Sequence, residues 1–354
     1  NKLYILGGDT SNINQFTPTK DFFYLDVSVA FNTINIPLTN LSNVFGTPKH
    51  SRAAVSAGGP YKDIIFLVGG AIENSSDDTP LVYTFDTIRN VWNNPVIQGI
   101  KPPRREYLYS ITDVTGKMYI FGGSYNIETG NSNWTFDNRM DILDTIGLTW
   151  SKGSQLQAPT SRDGYSVTLL PNGIIAYIGG YVASGPADLK QNTTGTIPIS
   201  RAHHTSVLGI NNDRIIVYGG FKVKTSPIAH DLSVLDIRNK PYEWLIPDIS
   251  GTIPPTPSRH TANVIGRYMI VTYGIIFLQN YVNPDINILD ISNDSEYKWV
   301  KSFDPNPSTG IIIGSIIGTA IGSILITIFA FIIYRWCKKR KYAHTIPTHG
   351  DSKI

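Results

Sequence analysis

The sequence predicts an all-β fold built from about six repeated sheets, and three observations lead to this prediction. A short apolar run that ends in two glycines occurs five times, and its β-branched and aromatic residues favour strands. The chain is rich in turn residues, with 31 Gly and 22 Pro among 354 residues. Such repetition is typical of stacked structural units. The five runs occupy residues 2–8, 63–70, 117–123, 173–180 and 213–220.

The same residue types flank most of the runs, and we call them the marks of the repeat. They allow the units to be followed in chain order. An arginine precedes the run, an apolar strand closing on aspartate follows it, and a tryptophan lies six to nine residues beyond the aspartate. The marks are Arg52, Asp86 and Trp92; Arg105, Asp144 and Trp150; Arg201, Asp236 and Trp244; and, in a sixth unit, Arg259, Asp290 and Trp299. In that sixth unit Tyr273 and Gly274 replace the glycine pair. This spacing predicts four short strands in each complete unit.

This set of marks resembles the kelch repeat, which forms one blade of a β-propeller. The resemblance covers residues 1–303 and rests on several marks that recur together, at a period near the kelch value of about 50 residues. It implies a kelch β-propeller of about six blades and leaves the function open, because propellers host enzymes and binding modules alike. The residues assigned to the architecture are Gly7, Gly8, Gly69, Gly70, Gly122, Gly123, Gly179, Gly180, Gly219, Gly220, Trp92, Trp150, Trp244 and Trp299.

The recurring side chains have structural roles in this interpretation. Each tryptophan would bury a large aromatic surface between adjacent sheets. Each aspartate lies where a strand turns and would accept backbone N–H bonds there. The arginines would brace neighbouring blades through these acids; they are Arg52, Arg105, Arg162, Arg201 and Arg259.

The first and fourth blades are predicted to be incomplete. The first has no tryptophan after Asp26, and the chain begins at Asn1, inside a repeat and without Met. We expect a piece that has lost its N-terminus, with a ring that is open at the first blade or closed by an upstream segment. In the fourth blade only 20 residues separate Gly180 from Arg201, too few for a third strand, its aspartate and a tryptophan.

The composition excludes several classes of function. Only 16 % of the residues are charged and the net charge is +3, which does not indicate a nucleic-acid partner. Cys337 is the sole cysteine, so the globular part can have no internal disulfide, cysteine-ligated zinc or cysteine nucleophile.

The C-terminal region is predicted to anchor the protein in a membrane. After a linker at 304–309, residues 310–334 carry no charge and are long enough to span a bilayer as a helix. A basic cluster follows in the tail, 335–354, and by the positive-inside rule the tail is cytoplasmic. The propeller would therefore be extracellular or lumenal, at the plasma membrane or another membrane of the secretory pathway.

Three further features belong to this membrane interpretation. Gly314, Gly318 and Gly322 have the small-xxx-small spacing that permits a weak homodimer, although such spacing also occurs without pairing. Cys337 is a candidate for palmitoylation or a plain thiol. N-glycosylation is expected at some of five Asn-x-Ser/Thr triplets in predicted loops, which begin at Asn40, Asn74, Asn133, Asn192 and Asn293.

For function, the chain resembles fungal-type membrane-anchored kelch proteins most closely. This implies a cell-surface binding or adhesion module for an extracellular protein or glycan, which would use the loops after each glycine pair. Aromatic residues in those loops are the binding candidates: Phe16, Tyr125, Trp134 and Phe221. The alternative that each one only covers its own blade stays open.

An enzyme is the second hypothesis, because the kelch fold is shared with the copper enzyme galactose oxidase. That family's site uses a tyrosine cross-linked to a cysteine, and this chain has no cysteine outside the tail. His203 and His204 are adjacent, and on a strand they would point to opposite faces, so they could not chelate one metal. A carbohydrate-active enzyme without metal remains an alternative. No catalytic residue, metal ligand or cofactor is predicted.

Overall fold

The computed structural model describes residues 1–10, 17–72, 79–130, 133–187, 192–222, 231–276 and 281–306. Within these ranges the regular structure consists of short strands and one 3-10 helix, Ile127–Thr129. In chain order the strands are β1 (Lys2–Leu6), β2 (Phe22–Asp26), β3 (Phe31–Asn32), β4 (Leu38–Asn40), β5 (Ala54–Gly58), β6 (Ile64–Val68), β7 (Val82–Asp86), β8 (Val91–Asn93), β9 (Tyr109–Thr112), β10 (Lys117–Phe121), β11 (Ser124–Tyr125), β12 (Thr135–Phe136), β13 (Met140–Asp144), β14 (Thr149–Lys152), β15 (Ser166–Leu169), β16 (Ile175–Ile178), β17 (Tyr181–Val182), β18 (Gly185–Pro186), β19 (Thr193–Gly195), β20 (Thr205–Leu208), β21 (Arg214–Tyr218), β22 (Leu232–Asp236), β23 (Tyr242–Leu245), β24 (Asp248–Gly251), β25 (Thr261–Ile265), β26 (Tyr268–Thr272), β27 (Ile275–Ile276), β28 (Tyr281–Val282), β29 (Ile286–Asp290), β30 (Glu296–Val300) and β31 (Ser302–Phe303).

The strands form the blades of a β-propeller, which confirms the predicted fold class. Five sheets have three to five strands, and the fourth position in the ring holds the two-stranded pair β15–β16. In ring order we name them sheet 1 (β1-β2-β4), sheet 2 (β5-β6-β7-β8), sheet 3 (β9-β10-β13-β14), sheet 4 (β15-β16), sheet 5 (β20-β21-β22-β23-β19) and sheet 6 (β25-β26-β29-β30-β24). The first strands of sheets 2 to 6 are neighbours in succession, so they line the inside of the ring.

Sheets 1 and 4 are the smallest, as the sequence led us to expect. The short stretch after Gly180 does not complete sheet 4. It forms the hairpin β17–β18, and then β19 pairs in parallel with β23 on the outer edge of sheet 5. Among the described residues sheet 4 therefore ends at β16, where complete blades continue with a third and a fourth strand.

Sheets 6 and 1 pack against each other through apolar side chains. Among the described residues β1 has a partner strand on one side only, so how the first blade is completed stays a prediction. Buried Leu25 of sheet 1 packs with Ile270 and Ile288 of sheet 6 in one apolar cluster. Beside them β3 pairs with β31, and the rings of Phe31 and Phe303 stack with their centroids 4.9 Å apart. Apolar side chains outside the repeat marks thus join sheets 6 and 1.

Each glycine pair connects its sheet to the next one. In sheet 5, Gly219 has a φ of 68°, and a Cβ on it would collide with the carbonyl oxygen of Pro257. The following Gly220 donates its N–H to the same oxygen at 2.9 Å. The same bond runs from Gly8 to His50, Gly70 to Arg105, Gly123 to Arg162 and Gly180 to Arg201. The pair is needed because the neighbouring backbone passes too close for a side chain.

The repeat tryptophans lie between sheets. Trp92, Trp150, Trp244 and Trp299 are all at least 92 % buried, and each belongs to an apolar cluster shared by two adjacent sheets. A further mark, which the sequence reasoning missed, is a glycine that precedes the next blade and packs on the tryptophan backbone. A Cβ on Gly99 would lie 2.7 Å from the oxygen of Trp150, and Gly195 and Gly251 approach Trp244 and Trp299 in the same way.

The predicted membrane anchor lies outside the described residues, as do the second half of the linker, the tail, Cys337 and the glycines at 314, 318 and 322. In the described ranges no helix has the length and apolar character to cross a bilayer. Contacts group Asn1–Phe303 into one compact unit.

Candidate functional site

One backbone position recurs just before the inner strands and carries the side chains of the site. Arg52, Tyr107, His203 and Arg259 each lie two residues before an inner strand, with φ between 51° and 55°. Gly164 occupies the same position in sheet 4, with a φ of 57°. Bulky residues rarely adopt this left-handed conformation, so its recurrence here is a feature of the fold.

These side chains converge toward the centre of the ring. Two guanidinium groups lie over the Tyr107 ring, with its centroid 5.2 Å from Cζ of Arg52 and 5.5 Å from Cζ of Arg259. The edge of Tyr107 meets His203, with ring centroids 5.0 Å apart. Burial raises the pKa of Tyr107 to about 12, so its hydroxyl stays protonated near neutral pH.

A cavity of about 230 Å³ opens beside this cluster, on the face where the loops follow the glycine pairs. The rings of His203 and Phe221 stack 5.3 Å apart on one wall, and Tyr181 lies 5.9 Å from Phe221. Trp134, half exposed, stands 6.1 Å from Tyr107. The lining comes from sheets 3 to 6 and consists of Tyr107, Trp134, Phe136, Asp163, Tyr181, His203, Phe221 and Arg259. The cavity is therefore mainly aromatic, with one acid and one guanidinium.

Carboxylates gather around Arg52, next to Tyr107. The guanidinium contacts Asp9 at 3.1 Å, Glu106 at 2.8 Å and Glu128 at 2.5 Å. Glu106 is completely buried and also accepts a bond from Asn126 Nδ2 at 2.7 Å, whereas the side chain of Glu128 is 36 % exposed. Burial raises the pKa of Glu106 to about 7 despite the attraction of Arg52.

Asp163 is the acid of the cavity wall. It is 2 % exposed, and burial raises its pKa to about 6 although Arg259 pulls that pKa down. The cost of burying the charged carboxylate of Asp163 is therefore larger than the stabilisation that the protein gives to that charge.

Arg105, Arg162 and Arg201 occupy a different position, two residues earlier. The contacts of Arg105 and Arg162 stay within their own sheets, which corrects the bracing role predicted for them. Arg52 does join neighbouring sheets, through Asp9 and Glu106 and not through the predicted turn aspartates. Arg105 bonds the oxygen of Gly122 at 2.7 Å and forms ion pairs with Asp137 and Asp141. Arg162 bonds the oxygen of Gly179 at 3.0 Å. These two side chains hold their own sheets at the glycine pair. The turn aspartates instead accept backbone N–H bonds, as Asp86 does from Ile88 at 2.9 Å.

The two adjacent histidines have different surroundings. His203 lines the cavity, whereas His204 bonds Ser166 Oγ at 2.9 Å between sheets 5 and 4. Burial lowers the pKa of both well below the ordinary value, so both are neutral near pH 7. In the described ranges no group of three or more histidine, cysteine or acidic side chains could hold a metal ion.

More than half of the chain matches a known protein family. Residues 1–190 match the KLHDC2/KLHL20/DRC7 Kelch-repeats domain. The chain belongs to this kelch-repeat family. Its glycine pairs, tryptophans and inner-strand positions are thus those of a kelch propeller.

Similar proteins carry the kelch propeller as part of longer chains. Human host cell factor 1 is 26 % identical over 286 residues, which are 72 % of this chain and 13 % of that protein. Human host cell factor 2 is 25 % identical over 290 residues, 72 % of this chain and 33 % of that protein. Mouse Kelch domain-containing protein 3 is 26 % identical over 234 residues, 60 % of this chain and 58 % of that protein. The chain thus spans between about an eighth and three fifths of the length of these relatives.

A solved structure is similar to this chain in its fold. The structure of YjhT aligns with a TM-score of 0.59 and 15 % sequence identity, over 79 % of this chain and 91 % of that one. At this identity the likeness concerns architecture and not the ligand.

The four aromatic residues predicted to bind a ligand are distributed as follows. Trp134 and Phe221 line the cavity of the kelch propeller. Tyr125 lies outside it, where its hydroxyl bonds Asp137 at 2.5 Å. Phe16 lies outside the described residues.

Six lining residues were missed by sequence reasoning: Tyr107, Phe136, Asp163, Tyr181, His203 and Arg259. Two signals in the repeat could have found four of them. One is the position two residues before each inner strand, and the other is the first residue after the glycine pair, which Tyr181 and Phe221 occupy.

The predicted glycosylation sites are at the surface where the structure describes them. Asn40, Asn133, Asn192 and Asn293 are exposed, and Asn74 lies outside the described residues. Their modification stays a prediction.

Proposed function

We propose that this kelch propeller is a binding module that accepts a segment of a partner protein in the cavity beside Tyr107. The observation that carries the proposal is the cavity itself, which is aromatic, open on one side through Trp134 and built from four different sheets. Its volume of about 230 Å³ suits one large side chain and not a whole folded domain.

The composition of the lining supports a protein ligand. Tyrosine, tryptophan and arginine are the residues enriched where protein interfaces concentrate their binding energy. Trp134 and Tyr181 offer flat apolar walls, while Asp163 and Arg259 supply polar groups that can fix the orientation of a bound chain. A partner would insert a side chain between these walls and lay its backbone across the surrounding loops.

We further propose that the module acts at a cell surface, anchored by residues 310–334 with the tail in the cytoplasm. The support comes from the uncharged stretch and the basic residues after it. A protease added to intact cells should remove the propeller and leave a C-terminal epitope tag protected. Digestion of that tag from outside would contradict this orientation.

The binding proposal can be tested with the full-length chain in detergent micelles on arrays of protein-derived peptides and of glycans. We expect the wild-type chain to bind a subset of peptides and the Trp134→Ala variant to lose at least tenfold in affinity for them. Tyr61→Ala is the matched control, because Tyr61 is 86 % exposed in the β5–β6 turn, away from the cavity. Peptide binding that both variants keep, or binding of glycans alone, would contradict the proposal.

A further inference from the structure

We propose that the cavity selects a basic side chain, an arginine or a lysine, from the partner segment; this inference rests on the function proposed above. The reason is a combination of excess negative charge and aromatic walls at one place. Negative charge and aromatic walls are each common in proteins. Together they suit a side chain that has a positively charged end on an apolar stem, as arginine and lysine do.

The charges around Tyr107 are unequal. Among the described residues, four carboxyl groups lie close to it or line the cavity beside it, and two guanidinium groups accompany them. The acids are Asp9, Glu106, Glu128 and Asp163, and the bases are Arg52 and Arg259. His203 adds no positive charge, because burial lowers its pKa well below the ordinary value. A cation that enters the cavity is therefore attracted, and an anion is repelled.

The protein's own groups show that a guanidinium packs well in this environment. Two arginines lie over the Tyr107 ring at cation–π distance, 5.2 and 5.5 Å from the ring centroid. Trp134, Tyr181 and Phe221 add further ring surfaces to the cavity wall. A ligand guanidinium or ammonium would extend an arrangement that is already present.

Asp163 supplies the specific partner for the ligand cation. Its carboxyl lies in the cavity wall and is 2 % exposed, so water stabilises its charge poorly. Its raised pKa of about 6, like that of Glu106, indicates that the two arginines do not fully offset the cost of burial. A third cation favours the ionised form of both acids and is bound more tightly for that reason.

The connection between β10 and β13 carries an exposed acid and an exposed ring. Glu128 keeps 36 % of its side chain exposed, and Trp134 of the cavity wall is half exposed. An accessible carboxylate near Arg52 adds to the attraction for a basic residue and disfavours an acidic one.

The test uses the full-length chain in detergent micelles and one peptide from the array set, synthesised in four versions. The versions differ at a single residue, which is arginine, lysine, citrulline or glutamate. Citrulline keeps the shape of arginine without its charge. We expect the arginine version to bind at least tenfold more tightly than the citrulline version and the glutamate version to bind most weakly.

Two variants separate charge recognition from folding. Asp163→Asn should reduce the preference for arginine over citrulline by at least tenfold. Because Asp163 is buried, Glu128→Gln serves as a second variant at an exposed site, with an expected loss of about threefold. The matched control is Asp248→Asn, an exposed acid on β24, which should keep the full preference. Circular dichroism of each variant reports the fold.

The outcomes distinguish this inference from the function on which it rests. Equal affinity for arginine and citrulline, with binding still lost in Trp134→Ala, would overturn the basic-residue selection and retain the peptide-binding cavity. Tighter binding of the glutamate version would overturn the charge argument. Binding of all four versions that Trp134→Ala leaves unchanged would contradict the cavity as the binding site.

Discussion

At the scale of single residues, the site depends on a backbone conformation that most side chains avoid. Arg52, Tyr107, His203 and Arg259 have positive φ at the same place in four blades. Such residues cost on the order of 1–3 kcal/mol each and persist when the surrounding structure fixes them. Here the neighbouring strands fix the backbone, and the result is a set of large side chains that meet near the ring centre.

The glycine pairs give a first prediction at this scale. Gly219 and Gly266 have similar backbones, with φ of 68° and 57°, but only Gly219 faces neighbouring atoms that would touch a Cβ. Gly266→Ala should cost about 1 kcal/mol of unfolding free energy from backbone strain alone, and Gly219→Ala about 3 kcal/mol or more. Urea unfolding of residues 1–303 measures both. Equal losses would show that contact with Pro257 is unimportant.

The buried acid Glu106 gives a pH-dependent prediction. Its pKa in the folded chain is raised to about 7, so the folded state holds this proton more tightly than the unfolded state does. The stability it contributes is present at low pH and is lost as pH rises from about 4.5 to 7. Between pH 5 and 8, the wild-type chain should therefore lose unfolding free energy relative to Glu106→Gln.

That comparison is made as a difference between the two proteins because other groups titrate in the same range. The acids and bases that face Glu106 are Arg52 and Glu128, and both remain in the variant. The buried histidines His203, His204 and His260 act with the opposite sign, since their lowered pKa destabilises the folded chain at low pH. Their contribution cancels in the difference. An unchanged difference between pH 5 and 8 would contradict the assignment.

At the scale of the structural elements, successive blades are held together by two recurring contacts. One is the N–H bond from the second glycine of each pair to the next blade, as from Gly220 to Pro257. The other is the packing of a repeat tryptophan, such as Trp244, in an apolar cluster shared by two sheets. Gly195 lies against the backbone of this tryptophan. Both contacts lie between blades, so a blade is not expected to be stable alone.

Two tryptophans with opposite environments test this account. Trp244 is 2 % exposed between sheets 4 and 5, while Trp134 is 51 % exposed at the cavity. Trp244→Ala should cost about 3–5 kcal/mol of unfolding free energy, and Trp134→Ala should stay within about 0.5 kcal/mol of wild type. Denaturant unfolding of residues 1–303 compares them directly. A large loss of stability in Trp134→Ala would mean that this residue has a structural role.

At the scale of the whole molecule, the ring tolerates two reduced blades because packing continues through both. Sheet 4 keeps Leu170 and Ile178 in a cluster with Trp244 of sheet 5, although among the described residues it ends at β16 and β19 joins sheet 5. Sheet 1 packs on sheet 6 through Leu25 and Phe31. The two incomplete blades thus leave the apolar contacts around the ring continuous.

Closure between sheets 6 and 1 gives the prediction at this scale. Phe303 is 1 % exposed and stacks on Phe31, next to the β3–β31 pair. Phe303→Ala should cost about 3–5 kcal/mol and increase hydrogen exchange first in β1, β2 and β29. The control is Phe45→Ala, at a 96 % exposed site, which should leave exchange unchanged. Loss of protection spread evenly over all blades would contradict a local closure.

The sequence by itself determined the kelch repeat, the buried tryptophans and the two short blades, because glycine pairs, aromatic spacing and segment length are local properties of the chain. It placed Trp134 and Phe221 among the binding candidates for the same reason, since both follow a glycine pair. Only the tertiary structure decided the rest. Tyr107, Asp163, Tyr181, His203 and Arg259 come from four sheets, and their meeting depends on left-handed backbone positions and on the closure of the ring. The charge balance of the cavity is likewise a sum over residues far apart in the chain, so no local pattern could reveal it.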